Sequence, residues 1–205
     1  MTPKYKLIYF NTYGRAEPLR YIFAYAGQDY VYEIIEKEDW PKLKPNTPYG
    51  QLPVLEVDGK PAAQTTAIAR YLARQFNIQG KDDWEILQAD SLVGALVDYR
   101  ACAKRLYTEE NPEKIAEIKK EQTMYLEKFD TILSSNPSGF LVGSEITWAD
   151  LVFAAVLSGR QDDLEGRSTA LSTLVDKVNN IPNIKSWLKT RSKDTKKQES
   201  NAPEK

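Results

Sequence analysis

The spacing of apolar residues divides the chain into a mixed strand-and-helix part and a later part made only of helices. Short aromatic and β-branched runs predict strands at 5–10, 30–35, 53–57 and 60–63. Between the last two, the Asp58-Gly59 pair predicts a hairpin turn. Apolar residues three or four apart predict helices at 15–26 and 65–76. The loop between the second and third strands has room for one helical turn around Trp40.

After this part, the helical period continues and the strand signals stop. It predicts helices at 83–107, at 112–134, from Thr147 onward, at 168–179 and at 183–190. We therefore predict an α/β domain at 1–78 and an all-helical domain at 83–191, with a short linker between them. Residues 192–205 are polar and cannot bury enough apolar surface to offset their ordering entropy, so this segment is predicted to be a disordered tail.

The composition restricts the chemistry that is possible. The 205 residues carry a net charge of -1, so no strong field favours nucleic acid or an anionic membrane. No apolar run approaches the roughly 18 residues that span a bilayer, and no secretion signal is evident, which predicts a cytoplasmic protein. The chain has no histidine, which excludes a histidine general base, a histidine triad and histidine metal ligands.

The single cysteine, Cys102, excludes an intrachain disulfide, a paired redox motif and a cysteine zinc site. It lies between two alanines in a predicted helix, where a buried and unreactive thiol is the commoner case than a nucleophile.

Two short segments have features that suit a peptide ligand. Leu52-Pro53 begins the third strand, and a cis bond there would turn a backbone N–H and C=O outward to hold an extended peptide. Gln64-Thr65-Thr66 precedes a helix, where Thr65 or Thr66 is a natural N-cap and where exposed N–H groups suit a carboxylate. Neither feature is specific by itself. A third segment, Thr147 to Asp150, has capping-box spacing and is interpreted as structural.

Further motifs run in order through the chain: Tyr9-Phe-Asn-x-x-Gly-Arg-Ala-Glu17, Asp39-Trp-Pro41, Lys44-Pro45, Pro48-x-Gly-Gln-Leu-Pro-Val-Leu-Glu-Val-Asp-Gly59, Gln64-Thr-x-Ala-Ile-Ala-Arg-Tyr-Leu-Ala73, Asp98-Tyr-Arg100, Gly139-Phe-Leu-Val-Gly143, Thr147-Trp-Ala-Asp150 and Ile181-Pro-x-Ile-Lys-x-Trp187. Together, these motifs resemble the sigma-class glutathione transferases, and most closely their nematode members. The resemblance implies a thioredoxin-like N-terminal domain, an all-helical C-terminal domain and a homodimer. It also implies glutathione as a co-substrate, conjugated to hydrophobic electrophiles, with no other cofactor.

The resemblance assigns the central role to Tyr9, whose hydroxyl would donate to the glutathione sulfur, with Arg15 beside it. A free thiol has a pKa of about 8.5, and a hydrogen bond offered to the thiolate lowers that value. The substrate then supplies the nucleophile, which suits a chain without histidine. The strand pattern alone also fits a core tyrosine, because Tyr5 and Tyr9 lie on one strand face.

The resemblance also assigns the residues that hold the rest of glutathione. These are Trp40, Lys44, Gln51, Leu52, Pro53, Gln64 and Thr65, with Asp98 reaching the γ-glutamyl ammonium in the partner subunit. Relatives usually carry serine at the position of Thr65. The electrophile site would include Phe10, Thr12, Tyr13 and Arg105.

The same resemblance offers two alternative functions and one prediction about metal binding. Prostaglandin isomerisation is weakened by Arg105, where the vertebrate isomerases carry tryptophan. A non-catalytic role as a haem-binding, hydrophobic-ligand or crystallin-like protein is disfavoured because Tyr9, Arg15, Gln51 and Gln64 are retained. The acidic cluster that binds metal in vertebrate relatives is reduced to Asp98, since Gly94 and Val97 occupy the other positions, so we predict no metal site.

Overall fold

The computed structural model describes residues 3–160, 164 and 168–191. The predicted tail at 192–205 lies outside the described residues. Contacts between residues divide the chain into two compact units, one formed by Met1–Phe76 with Ile181–Lys205 and the other by Asn77–Asn180.

The element order follows the predicted succession of strands and helices. The strands are β1 (Tyr5–Tyr9), β2 (Val31–Ile34), β3 (Val54–Val57) and β4 (Lys60–Ala63). The helices are α1 (Glu17–Ala26), α2 (Trp40–Leu43), α3 (Thr65–Gln75), α4 (Asp83–Arg105), α5 (Pro112–Ser135), α6 (Trp148–Leu157), α7 (Thr169–Asn179) and α8 (Pro182–Thr190). Single 3-10 turns cover Gly14–Ala16 and Lys44–Asn46. The predicted fold class is confirmed.

The four strands form one mixed sheet in the order β2-β1-β3-β4. β1 pairs in parallel with β2 and antiparallel with β3, and β3 pairs antiparallel with β4. Leu7 lies at the centre of this arrangement, fully buried and opposite Leu55 on β3. At the end of β1, Tyr9 pairs with Ile34 on β2, and the pairing with β3 ends one residue earlier, at Ile8. The sheet therefore fixes the backbone where the predicted site begins.

Aromatic packing holds the helices of the first unit to its sheet. Phe23 on α1 packs edge-on against Tyr5 at 5.3 Å between ring centroids and stacks on Tyr30 at 4.5 Å. Helix α8 belongs to this unit as well, and its Trp187 ring lies 5.4 Å from that of Tyr21. The predicted domain bounds, which assign 183–190 to the helical domain, stay a prediction. Helical periodicity predicts α8 itself but contains no information about which distant helix it packs against.

Helices α4 to α7 form the core of the second unit around Trp148, Phe129 and Phe153, with the two phenylalanine rings 4.9 Å apart. The predicted capping box at the start of α6 is confirmed, and the Thr147 N–H donates to the Asp150 carboxylate at 2.7 Å. Ile78, just before the predicted linker, also belongs to this unit, and its carbonyl accepts from the Trp148 N–H at 2.8 Å.

Candidate functional site

Tyr9 ends β1 and is held by the turn that follows it. Its side chain is almost fully buried, at 4% exposure, and its hydroxyl oxygen accepts a hydrogen bond from the Arg15 backbone N–H at 2.9 Å. This bond uses a lone pair of the oxygen and not its proton. A hydroxyl that accepts from an amide is both oriented and polarised for donating to an anion. The turn therefore fixes the position of the Tyr9 hydroxyl oxygen at the end of β1.

Gly14 makes this arrangement sterically possible. Its φ is +42°, a conformation in which L side chains are strained, and a Cβ at this position would lie closer than 3.0 Å to the Tyr9 hydroxyl oxygen. Gly14 lies within the motif that begins at Tyr9, but the motif by itself does not predict its role. The sequence held no other signal for it, because the contact depends on the side-chain position of a residue on β1.

Arg20 is a second residue whose role was not predicted from the sequence. It is buried on α1, and its Nη1 donates to the carbonyls of Thr12 and Tyr13 at 2.9 and 3.2 Å and to the Glu17 carboxylate at 2.9 Å. It thus fixes the loop between β1 and the Gly14–Ala16 turn. A charged pair three residues apart on a helix as apolar as α1 is the signal that could have identified it.

The Leu52–Pro53 peptide bond is cis. The pairing of β3 with β1 and β4 begins at Val54, so the backbone of Leu52 lies beyond the end of the ladder. Leu52 is buried and Gln51 is exposed. A backbone that continues a sheet without being part of its pairing suits the capture of an extended peptide.

The start of α3 differs from the expectation that a threonine caps it. Gln64 occupies the N-cap with φ +74°, and its side chain makes no capping hydrogen bond. The Thr65 hydroxyl instead donates to the Arg15 carbonyl at 3.2 Å. The first-turn N–H groups of α3 therefore have no side-chain cap, which is the arrangement that accepts a ligand carboxylate. A non-glycine residue at this φ costs on the order of 1–3 kcal/mol and is typical of functional sites.

Trp40 and Lys44 begin the helical turns after β2. The Trp40 ring packs edge-on against Phe10 at 5.8 Å, and the Phe10 ring lies 5.7 Å from that of Tyr9. The Lys44 side chain runs past Gly50, which has φ +63° and would place a Cβ 3.6 Å from its Cε. The row of Tyr9, Phe10 and Trp40 rings thus joins the end of β1 to the helical turn that precedes Lys44.

The remaining predicted residues are placed as follows. Thr12 and Tyr13 lie on the loop that Arg20 holds, and the Tyr13 ring packs against the Arg191 guanidinium. Asp98 and Arg105 lie exposed on α4 in the second unit, and Arg105 forms an ion pair with Glu121 at 2.8 Å.

Cys102 is 2% exposed, and burial raises the pKa of its thiol. The prediction that it is buried is confirmed, and its raised pKa disfavours the thiolate that a nucleophile needs.

Among the described residues, no group of three or more acidic or cysteine side chains is arranged to hold a metal ion. In the same part of the chain, no helix is both long and apolar enough to cross a bilayer.

Comparison with known proteins identifies the family. The model for the glutathione S-transferase N-terminal domain matches residues 5–74, and that for the glutathione S-transferase C-terminal domain matches residues 98–191. The chain is 38% identical over 201 residues to probable glutathione S-transferase 9 of Caenorhabditis elegans, which covers 91% of this chain and 96% of the relative. It is 39% identical over 197 residues to rat haematopoietic prostaglandin D synthase, covering 92% and 97%.

Solved structures agree with the sequence relatives. The crystal structure of the glutathione S-transferase from Ascaris lumbricoides superposes with a TM-score of 0.82 at 38% identity, covering 93% of this chain and 98% of that one. The predicted family is confirmed: the chain belongs to the glutathione S-transferase family.

Proposed function

We propose that this transferase conjugates glutathione to hydrophobic electrophiles by stabilising the glutathione thiolate with the Tyr9 hydroxyl. The observation that carries the proposal is the hydrogen bond from the Arg15 N–H to the Tyr9 oxygen, which orients the hydroxyl at the end of β1. The hydroxyl donates to the sulfur, and the hydrogen bond favours the thiolate over the thiol. The exposed Arg15 side chain on the same turn adds positive charge beside that anion.

Glutathione is held by three parts of the first unit. The Leu52 N–H and C=O pair with its cysteinyl part, next to cis-Pro53 and Gln51. The N–H groups at the start of α3, with Gln64 and Thr65, bind the γ-glutamyl carboxylate. Trp40 and Lys44 bind the glycyl end, where a lysine suits a carboxylate.

The fourth contact comes from the second chain of a dimer. Asp98 of the partner subunit binds the γ-glutamyl ammonium, which requires a homodimer. Sedimentation analysis of the assembled protein tests that requirement.

The electrophile is received by Phe10, Thr12, Tyr13 and Arg105. Phe10 supports this role, because its ring packs on that of Tyr9 and offers an apolar surface beside the activating hydroxyl. The cytoplasmic location also remains a prediction, which cell fractionation tests.

The experiment is a substrate panel at saturating glutathione, comprising an aryl halide, an alkenal, a hydroperoxide and prostaglandin H2. We expect conjugation of the aryl halide or the alkenal, with saturation by glutathione. Retention on glutathione resin without turnover of any substrate would contradict catalysis and support a binding protein.

Prostaglandin isomerisation is a second candidate, favoured by the 39% identity to the rat synthase. It is distinguished in the same panel, because an isomerase consumes prostaglandin H2 without consuming glutathione. Arg105, exposed and paired with Glu121, is the residue that weakens this candidate.

A further inference from the structure

A small cavity in the first unit lies behind the loop that follows Tyr9. Its volume is about 150 Å³. Pockets for drug-sized ligands measure about 300–1,000 Å³, whereas a protein cavity of about 150 Å³ accepts a single benzene ring. The size therefore restricts an occupant to one ring with a small substituent.

The walls of the cavity are aromatic. They include Tyr13, Tyr30, Tyr32 and Trp187. Burial raises the pKa of Tyr30 to about 12 and also raises that of Tyr32, so both phenols remain neutral and bring no negative charge. Flat neutral walls of this kind suit a planar aromatic ring.

The cavity is lined by more positive than negative charge. Arg20 and Arg191 line it together with a single carboxylate, Glu17, which accepts from both guanidinium groups. Counted over these lining residues, one positive charge is left over. Arg20 is committed to Glu17, to Tyr32 and to two backbone carbonyls. The excess charge therefore lies with Arg191.

Arg191 has donor capacity that the protein does not use. Its guanidinium lies 4.2 Å from the Tyr13 ring centroid and 5.2 Å from that of Trp187, and its Nη1 donates to Glu17. A guanidinium has five N–H donors, and among the described residues no other acceptor contacts this one. The stacked rings hold it in a fixed plane, which lowers the entropy cost of binding a carboxylate.

The Tyr13 hydroxyl is a second donor without a partner. Its oxygen is buried and has no hydrogen-bond partner among the described residues. A buried polar atom left unpaired costs about 1–3 kcal/mol, and each such atom calls for an explanation. An acceptor on a ligand in this cavity supplies one.

We propose that this cavity is a binding site for a small aromatic carboxylate, with the carboxylate on Arg191 and the Tyr13 hydroxyl and the ring between the aromatic walls. It is separate from the contacts proposed for glutathione, and it shares Tyr13 with the residues proposed to receive the electrophile. Since Tyr13 belongs to the loop that follows Tyr9, an occupant contacts that loop directly.

The test uses benzoate as the probe and isothermal titration calorimetry as the readout, on full-length protein saturated with glutathione so that the carboxylate sites for glutathione are filled. We expect saturable binding with a dissociation constant on the order of 1 mM. Benzamide, which has the same shape without the charge, should bind at least tenfold more weakly. Absence of saturable benzoate binding, or equal binding of the two probes, overturns the proposal.

Variants locate the site. Arg191→Gln should weaken benzoate at least tenfold, whereas Lys189→Gln should leave it unchanged, because Lys189 is an exposed lysine in the last turn of α8, the helix that Arg191 follows. Tyr13→Phe should weaken benzoate severalfold while leaving the melting temperature equal or higher without ligand, because it removes an unpaired buried hydroxyl. If Arg191→Gln does not fold, the benzamide and Tyr13→Phe results decide the question. Unchanged binding in Tyr13→Phe, or in a folded Arg191→Gln protein, overturns the proposed location.

Discussion

The turn that holds Tyr9 and the box that holds Asp150 use the same backbone chemistry for different purposes. In each, a side-chain oxygen accepts hydrogen bonds from the main chain. The Tyr9 hydroxyl accepts from Arg15 at 2.9 Å, and the two Asp150 oxygens accept from Leu141 at 2.8 Å and from Thr147 at 2.7 Å. Asp150 is fully buried and acts only within the second unit. Tyr9 carries a hydroxyl, a group that can donate as well as accept, and Arg15 in the turn that follows it is exposed.

The difference separates a fold-determining polar group from one suited to a ligand. A carboxylate that has only acceptors and is satisfied by backbone N–H groups has nothing left to offer a substrate. A hydroxyl that accepts through its oxygen still has a proton to give. We therefore expect changes at the Tyr9 turn to affect activity more than stability, and changes at the Asp150 box to affect stability more than activity.

The strongest test of this comparison is Tyr9→Phe. The ring and its packing remain, so the melting temperature should stay close to that of the parent. Removing one preorganised donor to a developing anion costs about 10²–10³ in rate. The measurement is kcat/KM for aryl halide conjugation, together with glutathione binding by calorimetry. Activity within twofold of the parent would exclude Tyr9 as the activating group.

Gly14→Ala should reduce activity roughly tenfold to a hundredfold without removing any catalytic atom. The added methyl displaces the Tyr9 hydroxyl, and a misplacement of about 1 Å at a catalytic group has this size of effect. Gly59→Ala is the matched control, since Gly59 also has positive φ, at +79°, but nothing lies within 4 Å of an added Cβ. Both variants should lose similar stability from backbone strain. Equal loss of activity in the two would show that strain, and not the hydroxyl, is responsible.

Asp150→Asn tests the other side of the comparison through pH. Burial raises the pKa of Asp150 from 3.8 to about 6. Between these values the native state binds a proton that the unfolded chain releases, so this group's contribution to the unfolding free energy falls as pH rises from about 4 to 6. Asparagine has no titratable side chain, so the Asp150→Asn protein lacks this pH-dependent contribution to the unfolding free energy.

Urea denaturation at pH 4 and pH 7 measures the effect. The advantage in stability of parent over Asp150→Asn should be about 2 kcal/mol larger at pH 4 than at pH 7. Activity per folded molecule at pH 7 should be unchanged. Parallel pH dependence in the two proteins would mean that the native pKa of Asp150 is not raised.

The sequence predicted the features that depend on neighbouring residues. The strand spacing ends β1 at Tyr9 within one residue, and the capping-box spacing of Thr147 and Asp150 is confirmed. Contacts between residues that are far apart in the sequence could not be predicted from it. The Arg191 contact with Glu17 spans 174 residues, and the contact between Gly14 and the Tyr9 hydroxyl requires the side-chain position on a strand. The Gln64 cap was missed because a positive φ at a glutamine contradicts its local preference, and tertiary structure imposes it.

The smallest expected effect concerns Asp98, an exposed carboxylate on α4 that belongs to neither the Tyr9 turn nor the Asp150 box. If it binds the γ-glutamyl ammonium of glutathione in the partner subunit, Asp98→Asn should raise the KM for glutathione about fivefold, because an exposed ion pair contributes about 1 kcal/mol. The dimer and kcat should be unaffected. Asp90→Asn, the same charge change about 12 Å along the same helix, is the control and should leave KM unchanged. An unchanged KM would remove Asp98 from the glutathione site and leave it a solvated surface charge.

The same region of α4 also predicts that activity does not depend on a metal ion. Gly94 and Val97 stand where vertebrate relatives have acidic side chains, so Asp98 has too few neighbouring oxygen ligands to bind a hard cation. Activity should therefore be equal with magnesium and with a chelator, and activation by magnesium would contradict the metal-free prediction.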